Sequence, residues 1–236
     1  MKFISWNCLR GSLIKDKFKK ITELCPDLAV IPELPDPSMF QNEVTIENSI
    51  WYGQEKGIGL GIISFSKDYK LSMLVDEIKY EWVVPIQVSG QEDFILLAVW
   101  TKRTPGYSSY GHILYSALKE YEHFLKNKRV IIIGDFNIDK NLPSSYSGIQ
   151  GRLGFERIIE LLHSCGLTSC YHYFSNEEFG SESKATYYHY RKSTLPFHID
   201  YCFASQEMIQ RTKQFYVDND EDWAKLSDHL PLVFEL

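Results

Sequence analysis

Four short polar segments, most of them acidic, carry the residues whose types and spacing could do chemistry. Each sits at the end of an apolar run rich in β-branched or aromatic residues. The first is Ser5-Trp6-Asn7. The second is Ile31-Pro32-Glu33-Leu34, after Leu28-Ala29-Val30. The third is Ile131-Ile132-Ile133-Gly134-Asp135-Phe136-Asn137. The fourth is a pair, His198-Ile199-Asp200-Tyr201 and Ser227-Asp228-His229-Leu230-Pro231. A carboxylate beside an apolar run is costly to bury unless a cation or a hydrogen-bonding partner satisfies it. Three or four carboxylates gathered with amide side chains form a hard-oxygen environment suited to Mg²⁺ or Mn²⁺. A single histidine beside such a set suits phosphate chemistry better than a zinc cage. Each segment alone is weak, because an Asp after a strand is commonly a turn former or a helix cap. The order and number of the segments give them weight together.

The elements that must position these residues follow from hydrophobic periodicity. Strands are predicted at Phe3–Trp6, Leu28–Ile31, Ile58–Phe65, Trp82–Val88, Phe94–Trp100, Val130–Ile133, Thr186–Tyr190, Phe197–Phe203 and Pro231–Leu236. Three helices are predicted. Lys15–Cys25 places Phe18, Ile21 and Cys25 on one face. His112–Lys126 repeats Leu114, Leu118, Tyr121 and Leu125, and Leu153–Cys165 ends before Gly166. Strands in groups with helices between them favour an α/β layered sandwich. Layered α/β folds place their sites at strand ends, where these segments lie.

Taken in order, Trp6-Asn7, Pro32-Glu33, Gly134-Asp135-Phe136-Asn137, Ile199-Asp200-Tyr201 and Ser227-Asp228-His229-Leu230-Pro231 resemble the endonuclease/exonuclease/phosphatase superfamily. The Gly-rich run Gly57 to Ser64 fits the same pattern. The resemblance runs from residue 5 to the C-terminus. It implies one domain over residues 1–236 with a four-layered α/β sandwich, two packed mixed β-sheets flanked by helices. It also implies roles. On that resemblance Glu33 would be the principal metal ligand, with Asn7 beside it and Asp228 as a carboxylate behind the metal's ligands or at a second metal. Asp135 would orient and deprotonate the attacking water, and Asn137 would hold a phosphate oxygen and fix Asp135. His229 would bond the scissile phosphate and Asp200 would pair with it. The physical logic agrees. A phosphodiester anion repels hydroxide until a metal and an imidazolium neutralise it, and a carboxylate partner keeps that imidazole charged.

Two positions depart from the family pattern. Phe94–Trp100 ends in Trp100 where a His or Tyr is usual, and an indole donates one hydrogen bond but shuttles no proton. His198 stands near the position where apurinic-site endonucleases usually carry Arg, so a phosphate-facing cation there depends on pH. Trp100 and His198 are therefore candidate phosphate contacts. The segments Cys170–Phe174 and Thr186–Lys192 could stack on bases, although strand alternation explains most of their pattern.

The chain has 236 residues, with 44% hydrophobic and 24% charged, an ordinary folded composition. Its longest apolar run, Phe94–Trp100, is far short of the ~20 residues a membrane span needs, so no membrane association is expected. With 25 basic and 31 acidic residues the net charge is −6, so contact with nucleic acid needs a cation or a local basic patch. The five cysteines form no Cys-x-x-Cys pair, and with no export signal a reducing, cytoplasmic setting is expected. The expected activity is Mg²⁺- or Mn²⁺-dependent hydrolysis of a DNA or RNA phosphodiester by a monomer. A small or lipid phosphate ester is the alternative, and a non-catalytic binding module is disfavoured because the full residue set is present.

Overall fold

A computed structural model describes residues 1–40, 44–54, 57–80, 82–103, 109–126, 128–142 and 151–236. Two six-stranded mixed sheets face each other. The first runs β13 (Gln214–Val217), β14 (Leu232–Glu235), β1 (Lys2–Ser5), β2 (Leu28–Pro35), β4 (Ile58–Ser64), β3 (Asn48–Gln54). The second runs β5 (Tyr69–Met73), β6 (Val83–Gly90), β7 (Phe94–Trp100), β8 (Val130–Asp135), β12 (Asp200–Ser205), β9 (Leu167–Ser169). A small ribbon, β10 (Tyr187–Tyr188) with β11 (Pro196–Phe197), stands apart.

The layering follows from where the apolar side chains go. Every residue of β7 and β8 is buried, as expected of strands covered on both faces. Leu96, Ala98, Ile131 and Ile133 point inward and share one core with the first sheet. Leu97, Val99, Val130 and Ile132 point outward and meet α2 (Tyr110–Glu120) and α4 (Gly151–Ser164). On the other side Phe18 and Ile21 of α1 (Ile14–Glu23) bury against Phe40 and Phe65, with Phe18 and Phe40 rings 4.8 Å apart. The four-layered α/β sandwich expected above is therefore present.

Topology explains why distant segments meet. Only two strand pairs are parallel among the described strands, β1–β2 and β7–β8. A parallel pair needs a crossover, which α1 supplies in the first and α2 with α3 (Glu122–Leu125) supplies in the second. The exits of each pair therefore lie at one end of its sheet. Strand β12 runs antiparallel to β8 with Asp200 opposite Asp135, and β14 runs antiparallel to β1. The starts of β12 and β14 thus bring Asp200 and the Asp228–His229 pair back to the exits of β8 and β1.

Several boundaries differ from expectation. The helix expected over His112–Lys126 is two helices, because Tyr121 leaves helical ψ at 6°. Cys25 lies past α1, exposed and at φ 49°. The run expected as a strand at Phe197–Phe203 is broken: the His198 N–H donates to Asp139, and the Ile199 and Asp200 N–H groups to Thr186 Oγ1. The aromatic segment from Cys170 is a helix, α5 (Cys170–Ser175), with Cys170 and Tyr171 buried. Two further α-helices among the described residues are α6 (Gln206–Arg211) and α7 (Glu221–Leu226), the latter capped by Asp220 inside the acidic run.

Candidate active site

The end of β1 delivers Asn7, whose orientation is fixed from three sides. The Trp6 indole N–H donates to the His229 carbonyl at 2.9 Å, and the Cys8 N–H to the Pro32 carbonyl at 3.1 Å. Asn7 Nδ2 donates to Asp135 Oδ2 at 3.0 Å and to Glu33 Oε1 at 3.3 Å. Asn7 Oδ1 accepts the Leu9 N–H at 3.0 Å. The amide thus bridges two carboxylates and points its oxygen at the backbone.

Glu33 is aimed by a bulge. The β2–β4 register shifts between Ile31 and Leu34, and Glu33 sits at φ 60°, which turns its side chain to the cleft instead of the core. Asp135 ends β8. Its neighbour Gly134 is at φ 145°, where a Cβ would lie 1.9 Å from the Val99 carbonyl oxygen, so only glycine passes there. Asp135 Oδ1 accepts the Asn137 N–H at 2.9 Å, and Asn137 Nδ2 donates to the Thr101 carbonyl at 3.0 Å. Asp200 Oδ2 lies 2.9 Å from His229 Nδ1. Ser227 Oγ accepts the His229 N–H and donates to the Asn7 carbonyl at 2.7 Å, closing the ring of segments.

The electrostatics follow from burial. Asp135 is 1% exposed, and desolvation, helped by the Asp200 charge, pushes its carboxyl up to about 7. Burial alone would drive the His229 imidazole down. The carboxylates of Asp200, Asp135 and Asp228 outweigh it and hold the ring up at about 10, so it is an imidazolium at neutral pH. With Nδ1 committed to Asp200, Nε2 is the nitrogen left for a ligand. These groups line a cleft of about 590 Å³ whose other walls include Trp100, Tyr110, Tyr187 and Phe197.

The site's fit to a divalent cation rests on its donors. Asp228 Oδ1 is buried without a hydrogen-bond partner, and Asp228 and Glu33 both line the cleft. An orphaned carboxylate oxygen in a cleft that holds a second carboxylate fits a hard cation. Ligand atoms of Asp135, Asp200 and His229 also lie within 4.8 Å of one another. There, however, Asp200 is spent on His229, and both Asp135 oxygens already accept hydrogen bonds.

Eight of the nine residues singled out from the sequence come together: Asn7, Glu33, Trp100, Asp135, Asn137, Asp228 and His229 line the cleft, and Asp200 lies behind His229. Trp100 packs edge-on against Trp82 at 4.8 Å, with the Lys102 ammonium 5.4 Å over its ring. His198 is placed elsewhere. Its ring is buried against Tyr171 at 4.6 Å, its Nδ1 faces the Lys184 carbonyl at 2.8 Å, and burial pushes its pKa down. The expected phosphate contact from His198 has no geometric support, because the chain leaves strand alternation there. Tyr187 and His189, part of the segment read as able to stack on bases, form a cleft wall and are joined at 2.8 Å, whereas sequence reasoning missed the buried Lys17. The spacing of Ile14, Lys17 and Ile21, three and four residues apart on the inner face of α1, was the available signal for Lys17.

The sequence matches the model of the Endonuclease/Exonuclease/phosphatase family over residues 4–229. The chain belongs to that family. Its members hydrolyse phosphoester bonds, and they are generally dependent on divalent metals. The fold is shared with a 3'-5' exonuclease from Neisseria meningitidis, at 21% identity and TM-score 0.71 over 100% of this chain and 99% of that one. A 3' phosphatase from Neisseria bound to a product DNA hairpin is similar at 20% identity and TM-score 0.72, over 100% and 99% of the two chains. An AP endonuclease from Archaeoglobus fulgidus is similar at 18% identity and TM-score 0.68, over 99% and 98%. No curated protein sequence matches this chain. Among the described residues no helix is long and apolar enough to cross a membrane.

Proposed function

We propose that this member of the endonuclease/exonuclease/phosphatase family is a Mg²⁺- or Mn²⁺-dependent nuclease that hydrolyses a DNA or RNA phosphodiester. The observation that carries the reading is the cleft that gathers Asp135 and the Asp200-paired His229 with the carboxylates of Glu33 and Asp228, one oxygen of the latter without a partner. Glu33 and Asp228 would hold the cation, with Asn7 keeping Glu33 and Asp135 in register. The cation, when bound, neutralises phosphate charge and polarises the phosphorus centre. Asp135 takes the proton from water as its oxygen bonds to phosphorus, and a carboxyl near neutrality is well matched to that task. The His229 imidazolium bonds a non-bridging oxygen, and Asn137 shapes the same edge. The leaving oxygen takes its proton from solvent, because Trp100 cannot release one.

A polymer substrate is favoured by the rim. Arg10 is exposed beside Glu33, and the ribbon between β10 and β11 carries Tyr190, 74% exposed, followed by Arg191 and Lys192. Aromatic and basic groups together suit an unpaired strand. The likeness to a 3'-5' exonuclease, a DNA-bound 3' phosphatase and an AP endonuclease supports the same class. The test offers single-stranded DNA, duplex DNA, RNA and a panel of small phosphate esters in Mg²⁺, Mn²⁺ and EDTA. Metal-dependent shortening of a polymer, absent from Glu33→Ala, is expected. Phosphate release from small esters with every polymer intact would overturn the nuclease reading in favour of a small-ester phosphatase.

A further inference from the structure

The loop after Asn7 follows a costly path. Leu9, Arg10 and Leu13 have φ of 49°, 64° and 59°, a left-handed region where a side chain is disfavoured, and none of the three is glycine. The consequence is that the carbonyls of Cys8, Leu9 and Arg10 turn toward one point. Lys17 fills that point. It is fully buried, and its Nζ donates to Cys8 O, to Leu9 O at 3.2 Å and to Arg10 O at 2.9 Å. An ammonium has three N–H donors and no acceptor, so three converging carbonyls match it. Burying a charge is costly without such compensation. A long cation turned inward at this point of α1 therefore signals a task beyond packing.

The task is visible one bond further on. The same loop supplies the Leu9 N–H that holds Asn7 Oδ1, and Asn7 Nδ2 in turn spans Glu33 and Asp135. We propose that Lys17 is a positioning residue that gathers the Cys8, Leu9 and Arg10 carbonyls, fixes Asn7 between the two carboxylates and so sets the affinity of the cleft for a divalent cation. The proposal rests on the metal-dependent reading of the cleft. Lys17 touches no reacting atom itself. It acts through the loop, as outer groups that orient ligands do in metal sites.

The test is Mn²⁺ binding to the full chain by titration calorimetry, with melting in EDTA recorded beside it. Lys17→Met keeps the length and removes the donors. Lys17→Arg keeps the charge and several donors. Lys17→Met should bind Mn²⁺ about tenfold more weakly or worse, and Lys17→Arg should recover part of that loss. A purely structural role would lower the melting temperature and leave the Kd unchanged. A Lys17→Met protein with the wild-type Kd therefore overturns the proposal, whatever its stability. If that variant fails to fold, Lys17→Gln replaces it: a weakened Kd supports the proposal and a wild-type Kd refutes it. Wild-type protein that binds no Mn²⁺ would instead overturn the metal reading and this proposal with it.

Discussion

Asp200→Asn removes one charge from the centre of the site and nearly no volume. The partner atoms lie 2.9 Å apart and both residues are buried. At an effective dielectric near 20, such a pair is worth about 6 kcal/mol before solvation is counted. The rise of His229 from 6.5 to about 10, net of its burial and with help from Asp135 and Asp228, corresponds to about 5 kcal/mol. Without Asp200, burial is opposed only by the weaker attractions of Asp135 and Asp228, and the imidazolium should lose its proton at markedly lower pH. An amide at this position can also hold the ring in the wrong tautomer. The variant should therefore lose roughly 10²–10⁴ in kcat at pH 8. Its alkaline limb should move down from near pH 10 toward neutrality. Asp135 is raised first by burial and then by Asp200, so its carboxyl should fall in the variant and the acid limb should move to lower pH as well. The assay is kcat against pH with a chromogenic phosphodiester, alongside nitrogen NMR of the His229 ring. An alkaline limb unchanged by Asp200→Asn would refute the reasoning.

Other consequences are open to direct measurement. Mg²⁺ at about a hundredfold excess over its Kd should stabilise the wild type by about 2.7 kcal/mol, and a melting scan of Glu33→Gln should show little of that gain. Gly134→Ala places a methyl carbon against the Val99 carbonyl at a φ of 145°, so urea denaturation should show a loss of more than about 3 kcal/mol. Trp223 is fully buried and packs edge-on to Trp6 at 4.8 Å, so Trp223→Ala should cost about 3–5 kcal/mol and loosen the strand end that carries Asn7. Glu92 accepts hydrogen bonds from Arg211 and Arg129, which hold its carboxyl down at about 2. A depressed carboxyl stabilises the fold above its unfolded value of about 4.3. The advantage of wild type over Glu92→Gln should therefore be full at pH 6 and vanish as pH falls toward 2.

How much of this was legible in the sequence depended on burial. Strands β7 and β8 are apolar on both faces, so Phe94–Trp100 and Val130–Ile133 announce themselves without alternation. The edge strands β3 and β5 did not, because Asn48–Gln54 and Tyr69–Met73 mix polar and apolar residues and gain their order from one neighbouring strand. The run from Cys170 misled because aromatic residues favour strands, while the tertiary packing of Cys170 and Tyr171 favours one helical turn. In the site, types were readable and geometry was not. Asn7 meets Glu33 and Asp135 across 26 and 128 residues, and periodicity carries no information over that span. Family resemblance supplied the pairing. His198 shows the limit of motif position: Thr186 and Asp139 capture three successive N–H groups and carry its ring away from the cleft.

The most direct measurement follows the fate of a 5'-labelled single-stranded oligonucleotide with wild type and Asp135→Asn, each in Mn²⁺ and in EDTA. The buried base with its two supporting amides calls for cleavage by wild type in Mn²⁺ alone, and for a drop of at least about a hundredfold in the variant. Cleavage of equal rate in Asp135→Asn, or undiminished in EDTA, would contradict the assignment of this cleft as a metal-dependent phosphodiesterase site.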